Sequence, residues 1–515
     1  MSATATLKNT AAEASLKSDS GRRKVDRAGE GRGPRTLKPD VCVIGAGSGG
    51  LSVAAACASF GTEVVLIEKG EMGGDCLNYG CVPSKAMIAA GKQAHAAKGA
   101  SAFGVTLGEP EVDWKGVHDH VHEVQATIAP MDGQPRFEAM GVTVLRDAGR
   151  FTDASTVQAG DVTVKARRYV VATGSAPMVP PIEGLDTVDY HTNETIFERN
   201  EAPGRLIVIG GGPIGMELAQ AHHRLGAEVT VIEAQKALGK DDPELARIVV
   251  ENVQTEGVRV LESAKVVRVE KVETGIRVHL EGEGVPATVE GDTLLVAVGR
   301  KANTDGLGLE EAGIETTKRG IKVSRKLRTT NKRVYAIGDV ADPADENGEH
   351  HGGLQFTHVA GYHAGLVTRA LLFRLPVKED RSILPWATYT EPALAHVGLR
   401  EQDAGHVKDL RVLRWPFAEN DRALAERQST GLVKVLADKK GRILGASIVG
   451  ANAGEQISLW ALAVSQKMTL KDIAGYVPPY PTMAEAGKRA ATSFYTASTR
   501  KPMVRRAVEF MRMFG

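Results

Sequence analysis

Residues 41–50 read VCVIGAGSGG, and their pattern indicates the fold class. The apolar half is typical of a short buried strand, and the glycine-rich half is typical of a tight turn that leads into a helix. Small apolar residues at 51–60 are compatible with that helix, and residues 63–68, which read EVVLIE, predict a second strand. A strand, a turn, a helix and a strand in this order form a unit of a parallel sheet, so the pattern predicts an α/β fold.

The glycines of this turn indicate a dinucleotide site. Gly45 allows the sharp bend, Gly47 lets the backbone approach a pyrophosphate, and Gly50 lets the helix and strand pack closely. The pyrophosphate would lie at the helix N-terminus, where unpaired N–H groups and the helix dipole favour anions. Glu68 ends the second strand and is placed to accept hydrogen bonds from a ribose.

The same unit recurs at residues 205–233, with glycines at the three corresponding positions, Gly210, Gly212 and Gly215. Glu233 closes its second strand. A carboxylate there suits a ribose 2′-hydroxyl and repels a 2′-phosphate, which favours NADH, while the nearby Lys236 keeps NADPH open. Two such units predict two Rossmann-like domains and an electron relay between a tightly held and an exchangeable dinucleotide.

Composition excludes several classes of function. The chain has 515 residues, of which 42% are hydrophobic and 25% charged, as in a soluble globular protein of several domains. Its 64 Lys and Arg nearly balance 63 Asp and Glu, so the net charge of +1 gives no reason to expect nucleic-acid binding. No apolar run is long enough for a transmembrane helix. Only 4 cysteines occur, which predicts a reducing, cytoplasmic location rather than a secreted disulfide framework.

Two of the cysteines form a candidate redox pair. Residues 73–85 read GGDCLNYGCVPSK, so Cys76 and Cys81 are five positions apart. On a regular helix this spacing rises about 7.5 Å, whereas a disulfide needs α-carbons within about 7 Å. Residues 78–80 must therefore distort the chain for the pair to close. Pro83 fits the first turn of a helix. Cys81 would then lie close to the N-terminus of that helix, which lowers the pKa of a thiol.

The remaining cysteines and the histidine clusters are interpreted as structural. Cys42 lies in the apolar strand and Cys57 in the apolar helix. Two groups among the 14 histidines could suggest a metal site, one at His118 and His122 and one at His350, His351, His358 and His363. Neither cluster has an acid or thiol set that completes a coordination geometry, so no metal site is predicted.

Residues 73–85 closely resemble the redox signature of the FAD-containing pyridine nucleotide–disulfide oxidoreductases, which include dihydrolipoamide dehydrogenase, glutathione reductase and mercuric reductase. The resemblance covers about residues 39–495. It includes four further motifs: ATG at 172–174, VGR at 298–300, YAIGD at 335–339 and PTMAE at 481–485. Several motifs in the right order make it specific for the family, although they do not fix the substrate.

The resemblance implies a role for each matching residue. FAD would be bound by Gly45, Gly47, Gly50, Glu68, Lys85, Thr173, Gly174 and Asp339. NADH, or NADPH, would be bound by Gly210, Gly212, Gly215, Glu233 and Gly299. Cys81 would be the thiol next to the flavin and Cys76 the interchange thiol that meets the substrate. Lys85 and Glu217 would form an ion pair beside the flavin.

The C-terminal motif departs from part of the family. Many relatives carry His-Pro-Thr-x-x-Glu, in which the histidine is the acid and base for the substrate thiol. Here Tyr480 takes the place of the histidine, and Glu485 is kept. Because a tyrosine has a pKa near 10, it is a poor base at neutral pH. Mercuric reductases also place tyrosine here but use a vicinal cysteine pair near the C-terminus, whereas no cysteine follows Cys81.

The resemblance also implies a homodimer and a domain order. The expected segments are a disordered basic tail at 1–38, an FAD-binding domain at 39–190 and 306–378, an NAD(P)-binding domain at 191–305, a dimerisation domain of α+β type at 379–500 and a basic amphipathic tail at 501–515. That last tail is expected to pack on the protein's own surface or on the subunit partner. Docking to a membrane surface or another partner is the alternative.

The sequence therefore predicts an enzyme that passes electrons from NAD(P)H to FAD, to the Cys76–Cys81 pair and to a small-molecule acceptor. The main hypothesis is a mercuric-reductase-like enzyme whose acceptor is a disulfide, a metal ion or a quinone. Dihydrolipoamide dehydrogenase is the first alternative, favoured by Glu233 and opposed by Tyr480. A non-enzymatic flavoprotein module docked through its basic tails is the second.

Overall fold

The computed structural model describes residues 35–499 and 501–514. Most of the expected N-terminal tail, residues 1–34, lies outside the described residues, as does Gly515 of the C-terminal tail. The first strand, Arg35–Leu37, begins inside the segment that was expected to be tail, and it pairs in parallel with Val162–Val164. The predicted start of the fold at residue 39 is too late, because this pairing depends on a strand far along the chain.

The first half of the chain contains β1 (Arg35–Leu37), β2 (Val41–Ile44), α1 (Ser48–Ser59), β3 (Val64–Ile67), α2 (Gly74–Asn78), α3 (Cys81–Gly99), α4 (Trp114–Asp132), α5 (Gln134–Ala139), β4 (Thr143–Leu145), β5 (Gly149–Asp153), β6 (Thr156–Ala159), β7 (Val162–Val164), β8 (Arg168–Val171), β9 (Ser175–Pro177), β10 (Arg205–Ile209), α6 (Pro213–Arg224), β11 (Glu228–Ile232) and α7 (Pro243–Glu256).

The second half contains β12 (Arg259–Leu261), β13 (Lys265–Val272), β14 (Gly275–Glu281), β15 (Thr288–Gly291), β16 (Thr293–Val296), β17 (Arg300–Ala302), β18 (Thr316–Thr317), β19 (Gly320–Val323), β20 (Val334–Ala336), β21 (Ala341–Pro343), α8 (Thr357–Phe373), β22 (Trp386–Thr388), β23 (Ala393–Gly398), β24 (Arg411–Pro416), α9 (Asp421–Ala425), β25 (Leu432–Ala437), β26 (Ile443–Gly450), α10 (Ala453–Ser465), α11 (Leu470–Gly475), α12 (Ala484–Ser493), α13 (Thr496–Thr499) and α14 (Pro502–Met511).

The first nucleotide-binding unit is a parallel sheet of order β20-β8-β2-β3-β4. All four residues of β2 are buried, as expected for a strand covered on both faces. Its edge strand β20 comes from the second half of the chain, so the sheet joins segments on either side of the second unit. Helices α1 and α8 pack together over it.

The second unit repeats this arrangement with a parallel sheet of order β12-β11-β10-β16. Its helix α6 packs against α3, the helix that begins at Cys81. Gly91 permits a close approach, since an added Cβ there would lie 3.1 Å from the carbonyl oxygen of Ala221. This contact brings the cysteine-bearing helix onto the second unit.

The C-terminal segment forms an antiparallel sheet of order β22-β23-β26-β25-β24, with α10, α11 and α12 packed around the buried Trp460. The predicted fold class, two Rossmann-like domains and a C-terminal α+β domain, is confirmed. Helix α14 follows, and every residue from 501 to 514 is exposed. Within this one chain, the expected packing of α14 on the protein's own surface is therefore wrong.

Candidate active site

At two positions of the first glycine-rich turn, the surrounding backbone lies too close for any side chain. Gly45 has a φ of +105°, and an added Cβ would lie 2.4 Å from the carbonyl oxygen of Ala172. An added Cβ at Gly50 would lie 1.9 Å from the carbonyl oxygen of Gly45. The turn ends at Gly47, which caps α1 without a side-chain hydrogen bond. The first amides of α1 are thus left for an anion, as a bound pyrophosphate requires.

Glu68 holds this turn in place. Its Oε2 accepts a 2.6 Å hydrogen bond from the amide of Ala46, and its Oε1 accepts one of 2.7 Å from the amide of Gly70. The carboxylate therefore ties the end of β3 to the turn after β2. It remains half-buried, so one side of it can still meet a ribose hydroxyl.

The second turn has the same construction. Gly210 has a φ of +113°, and an added Cβ at Gly215 would lie 1.9 Å from its carbonyl oxygen. Glu233 accepts a 2.8 Å hydrogen bond from the amide of Gly211. An added Cβ at Gly212 would meet no protein atom within 4 Å, so this position faces open space. Both turns therefore fit the pyrophosphate of a dinucleotide.

The cysteine pair lies on two consecutive helices, α2 and α3, whose junction we call the cysteine hairpin. Helix α2 ends at Asn78 and α3 begins at Cys81, so Tyr79 and Gly80 interrupt the helical backbone between the two thiols. Asn78 stabilises the break by donating hydrogen bonds to the carbonyl oxygens of Met72 and Gly74. The distortion that the spacing of the cysteines required is present.

The two thiols have opposite acidities. A hydrogen bond from Cys76 is the largest cause that lowers the pKa of Cys81 to about 6, and Thr357 and the charge of Lys85 lower it further. The same hydrogen bond is the largest cause that raises the pKa of Cys76, and burial adds to it. The Thr357 hydroxyl lies 3.2 Å from the Cys81 sulfur. In the structure both residues are free thiols, and at neutral pH the charge lies on Cys81.

Lys85 and Glu217 meet across the contact between α3 and α6. Lys85 Nζ donates a 2.8 Å hydrogen bond to Glu217 Oε2, and Glu217 is buried. The other carboxylate oxygen accepts a 2.8 Å hydrogen bond from the amide of Tyr389. Lys85 Nζ also lies 4.6 Å from the centre of the Tyr389 ring. Glu217 thus positions the lysine one turn from Cys81.

A further cluster surrounds Arg300, which belongs to β17. Its guanidinium forms an ion pair with Asp75 Oδ1 at 2.9 Å, and its Nε donates to the hydroxyl of Ser175 at 2.7 Å. The Ser175 hydroxyl in turn donates to Asp339 Oδ2 at 2.7 Å. Burial raises the pKa of Asp339, and the Ser175 hydrogen bond and Arg300 oppose this. Asp75 directly precedes Cys76, so Arg300 connects the cysteine hairpin to the first sheet.

The other residues predicted to bind cofactors lie at the strand ends nearby. The Thr173 hydroxyl donates to the carbonyl oxygen of Asn303 at 2.8 Å, and Asn303 returns a 2.9 Å hydrogen bond to the carbonyl oxygen of Thr173. Gly174 and Gly299 have φ values of +68° and +138°, which favour glycine. These residues connect the end of β8 to the region after β16.

Tyr480 and Glu485 lie on the C-terminal domain, and no hydrogen bond in the described residues joins Tyr480 to the cysteine hairpin. The Tyr480 hydroxyl donates to Asp421 Oδ2 at 2.9 Å, and the ring is 71% exposed. This hydrogen bond and the charge of Asp421 raise the pKa of Tyr480. Glu485 lies in the first turn of α12.

The histidines separate into two kinds. His350, His351, His358 and His363 each have a hydrogen-bonding partner, as the structural interpretation predicts. His118 and His122 differ, because Glu198 lies against them and the three offer ligand atoms within 4.8 Å of one another. The argument that no acid completes this pair is therefore wrong. Sequence could not show it because Glu198 is remote along the chain.

Three residues of the site, Thr357, Tyr389 and Asp421, were not predicted from the sequence. The role of Arg300 was not predicted either. The motif at 298–300 includes Arg300, so that signal was available, but its partners were not. The two buried cysteines are as predicted, and burial raises the pKa of Cys57 to about 11.

The model of the family described as "Pyridine nucleotide-disulphide oxidoreductase" matches residues 39–364, and the model of that family's dimerisation domain matches residues 384–491. The chain belongs to this family. It is an enzyme that uses FAD and NAD(P)H, which sets aside the non-enzymatic alternative. In the described residues, no helix combines the length and the apolar character needed to cross a membrane.

Relatives of two activities are similar to the chain. A mercuric reductase from Lysinibacillus sphaericus is 36% identical over 459 residues, covering 88% of this chain and 82% of that one. A dihydrolipoyl dehydrogenase from Thermus scotoductus is 35% identical over 470 residues, covering 88% and 97%. The solved structure of the HOCl-induced flavoprotein disulfide reductase RclA from Escherichia coli has a TM-score of 0.77 at 26% identity, covering 88% and 99%.

Proposed function

We propose that this enzyme is a mercuric-reductase-like, NADH-dependent reductase whose acceptor is reduced without thiol–disulfide exchange at Cys76, namely a soft metal ion or a quinone. The family and the relatives support FAD-dependent reduction through a thiol pair. FAD, when bound, supplies two-electron transfer between the nicotinamide and the cysteine pair. The glycine turns at Gly45 and Gly210 would hold the two dinucleotides, and Cys81 would lie as a thiolate next to the flavin.

The observation that carries this proposal is that Tyr480 takes the place of the histidine of many relatives and donates its hydroxyl hydrogen to Asp421 Oδ2 at 2.9 Å. Thiol–disulfide exchange needs Cys76 to attack as a thiolate, yet its pKa is raised. The base that would deprotonate it is Tyr480 of the partner subunit in the expected homodimer. The pKa of Tyr480 is itself raised by Asp421, so the residue is a poor base near neutral pH. Reduction of a quinone or a metal ion avoids this step.

Both reactions balance without an added reductant. NADH, a proton and a quinone give NAD⁺ and a hydroquinone. NADH and Hg²⁺ give NAD⁺, a proton and elemental mercury. Cys76, which would meet the substrate, and the thiolate of Cys81 are the soft ligands that would hold a metal ion.

An acceptor screen tests the proposal. NADH oxidation by the FAD-loaded enzyme is measured with 1,4-benzoquinone, Hg²⁺, lipoamide and glutathione disulfide at pH 7. The quinone or Hg²⁺ should be reduced at least ten times faster than either disulfide. In Cys76→Ser, quinone reduction should survive and Hg²⁺ reduction should be lost. Faster turnover with lipoamide than with any other acceptor would contradict the proposal.

Dihydrolipoamide dehydrogenase is the second candidate, favoured by Glu233 and by the relatives of that activity. If it is correct, lipoamide turnover should depend on a proton transfer at residue 480. Lipoamide-dependent turnover that survives in Tyr480→Phe would argue against an essential proton transfer there.

NADH is proposed as the donor in either case. Both oxygens of Glu233 accept backbone hydrogen bonds, from Gly211 and Gln235, which hold the carboxylate at the end of β11, and a negative charge there would repel a 2′-phosphate. Lys236 does not offset this charge, because its Nζ pairs with Glu262 at 2.8 Å. The ratio of kcat/KM for NADH to that for NADPH should therefore exceed one. It should fall in Glu233→Ser and stay unchanged in Lys236→Ala.

A further inference from the structure

We propose that His118, His122 and Glu198 form a binding site for a divalent transition-metal ion, with Zn²⁺ as the best-matched ion. The three residues lie outside the cysteine hairpin. Two are on α4 and one is on the short 3-10 turn Ile196–Glu198. Their ligand atoms lie within 4.8 Å of one another, and the rings of the two histidines are 4.0 Å apart between centres.

The hydrogen bonds of the two histidines leave one nitrogen of each ring free for a metal. His122 Nδ1 lies 2.9 Å from the carbonyl oxygen of His118, so this nitrogen carries the proton and Nε2 has the lone pair. His118 Nδ1 lies 3.2 Å from a carboxylate oxygen of Asp119, which has the same effect. Oxygen acceptors of this kind orient the histidine ligands of metal sites and raise their basicity.

The distance between His122 and Glu198 matches that between two ligands of a tetrahedral ion. Histidine and carboxylate ligands lie about 2.0–2.2 Å from Zn²⁺, so two of them are about 3.4 Å apart. His122 Nε2 lies 3.5 Å from Glu198 Oε1. The side chain of Glu198 is 64% exposed and those of His118 and His122 are 24% and 36% exposed, so an ion can reach the site from solvent. Three protein ligands leave one position for water.

The proposed site joins two segments that both hold the cysteine hairpin. Gln125, one turn after His122, donates hydrogen bonds to the carbonyl oxygens of Leu77 and Asn78 at 3.1 and 2.8 Å. Asn193, just before the 3-10 turn, donates to the carbonyl oxygen of Tyr79 at 3.0 Å. A bound ion would fix α4 to this turn, and both segments donate hydrogen bonds to the loop between Cys76 and Cys81.

Metal binding is tested in FAD-loaded Cys76→Ser/Cys81→Ser protein, because the thiols would otherwise bind the same ions. Titration with Zn²⁺ by calorimetry should give one site per chain, and Co²⁺ should give visible absorption of tetrahedral intensity. Adding His122→Gln or Glu198→Gln should weaken binding at least tenfold. His120→Gln, on the same helix but outside the cluster, is the matched control and should bind as the parent does.

Equal affinities in the His120→Gln and His122→Gln proteins would overturn the proposal, as would the absence of any Zn²⁺ binding by correctly folded parent protein. Circular dichroism and retained FAD show that each variant is folded. The readout is binding rather than turnover, so the result is independent of the proposed acceptor.

Discussion

Cys76 and Cys81 have the same chemistry and opposite protonation, and the cause lies in their immediate contacts. Cys81 begins α3 and receives hydrogen bonds from Cys76 and Thr357, with Lys85 one turn away. Each of these stabilises a negative charge on its sulfur. Cys76 donates in this arrangement and keeps its proton. The negative charge of the pair therefore lies on the sulfur of Cys81, the residue that would lie next to the flavin.

The pH dependence of alkylation should report this asymmetry. Because the pKa of Cys81 is lowered to about 6, its thiolate is the main form above that pH, and its reaction with iodoacetamide should rise through a midpoint near pH 6. Mass spectrometry of the reduced protein identifies the labelled residue. Cys76→Ala should raise the midpoint more than Lys85→Met, since the hydrogen bond is the larger cause. A Cys81 midpoint near the ordinary thiol value of about 8.5 would contradict this assignment.

The second glycine turn offers a matched pair of substitutions. Gly215→Ala places a Cβ 1.9 Å from the carbonyl oxygen of Gly210, so the turn must move and the thermal midpoint of unfolding should fall. Gly212→Ala meets no protein atom within 4 Å and should leave that midpoint unchanged. It should nevertheless raise the KM for NADH several-fold, because the methyl group would enter the space proposed for the pyrophosphate. Unchanged KM in Gly212→Ala would place the dinucleotide elsewhere.

The hairpin of α2 and α3 is held from both sides by charged groups of other elements. Arg300 of β17 binds Asp75 at its start, and Glu217 of α6 binds Lys85 beyond Cys81. These contacts fix the loop that carries the cysteines relative to both nucleotide-binding units. The geometry of the pair thus depends on packing between domains as well as on its own sequence.

Removing Arg300 should loosen this arrangement. Its side chain is only 10% exposed, and Arg300→Met leaves Asp75 and Ser175 without their partner. We expect a loss of about 3 kcal/mol in the free energy of unfolding, measured by urea denaturation. Arg300→Lys keeps the charge, but an ammonium group cannot contact Asp75 and Ser175 with the planar geometry of a guanidinium. It should therefore recover only part of the lost stability. A change below about 0.5 kcal/mol in Arg300→Met would show that the cluster does not stabilise the hairpin.

The parts of the structure that sequence predicted are those with local causes. The glycine turns, the break between α2 and α3 and the burial of Cys42 follow from residues within a few positions. Three other contacts join segments that are distant along the chain. They are the pairing of β1 with β7, the hydrogen bond from the Tyr389 amide to Glu217 and the contact of Glu198 with His122. No periodicity or spacing along the chain encodes these contacts, so they became visible only in the fold.

The whole molecule is expected to act as a homodimer, since it carries the dimerisation domain of its family. Tyr480 is largely exposed in one chain, which fits a residue that meets the partner subunit. Light scattering after size exclusion should give twice the chain mass of 54.7 kDa. A scattering mass equal to that of one chain would contradict the expected homodimer.

Helix α14 presents exposed apolar residues, including Val504, Val508 and Met511, beside several arginines. Deleting residues 501–515 tests whether this helix docks to a membrane or a partner. If docking occurs, sedimentation with anionic liposomes or capture of a partner should be lost while NADH-dependent activity is kept. If the full-length protein shows no association, the docking hypothesis is wrong.

An anaerobic titration of the FAD-loaded protein with NADH tests the central claim most directly. In the disulfide form, one equivalent of NADH should produce a long-wavelength absorbance band, because two electrons open the Cys76–Cys81 bond and leave the Cys81 thiolate beside oxidised FAD. This band should be missing in Cys81→Ser, whereas Cys76→Ser, which cannot form the disulfide, should show it before any NADH is added. It should be lost on acidification with a midpoint near pH 6, the pKa of Cys81. Purified protein that takes up no FAD, or a band that is unchanged in Cys81→Ser, would contradict the account.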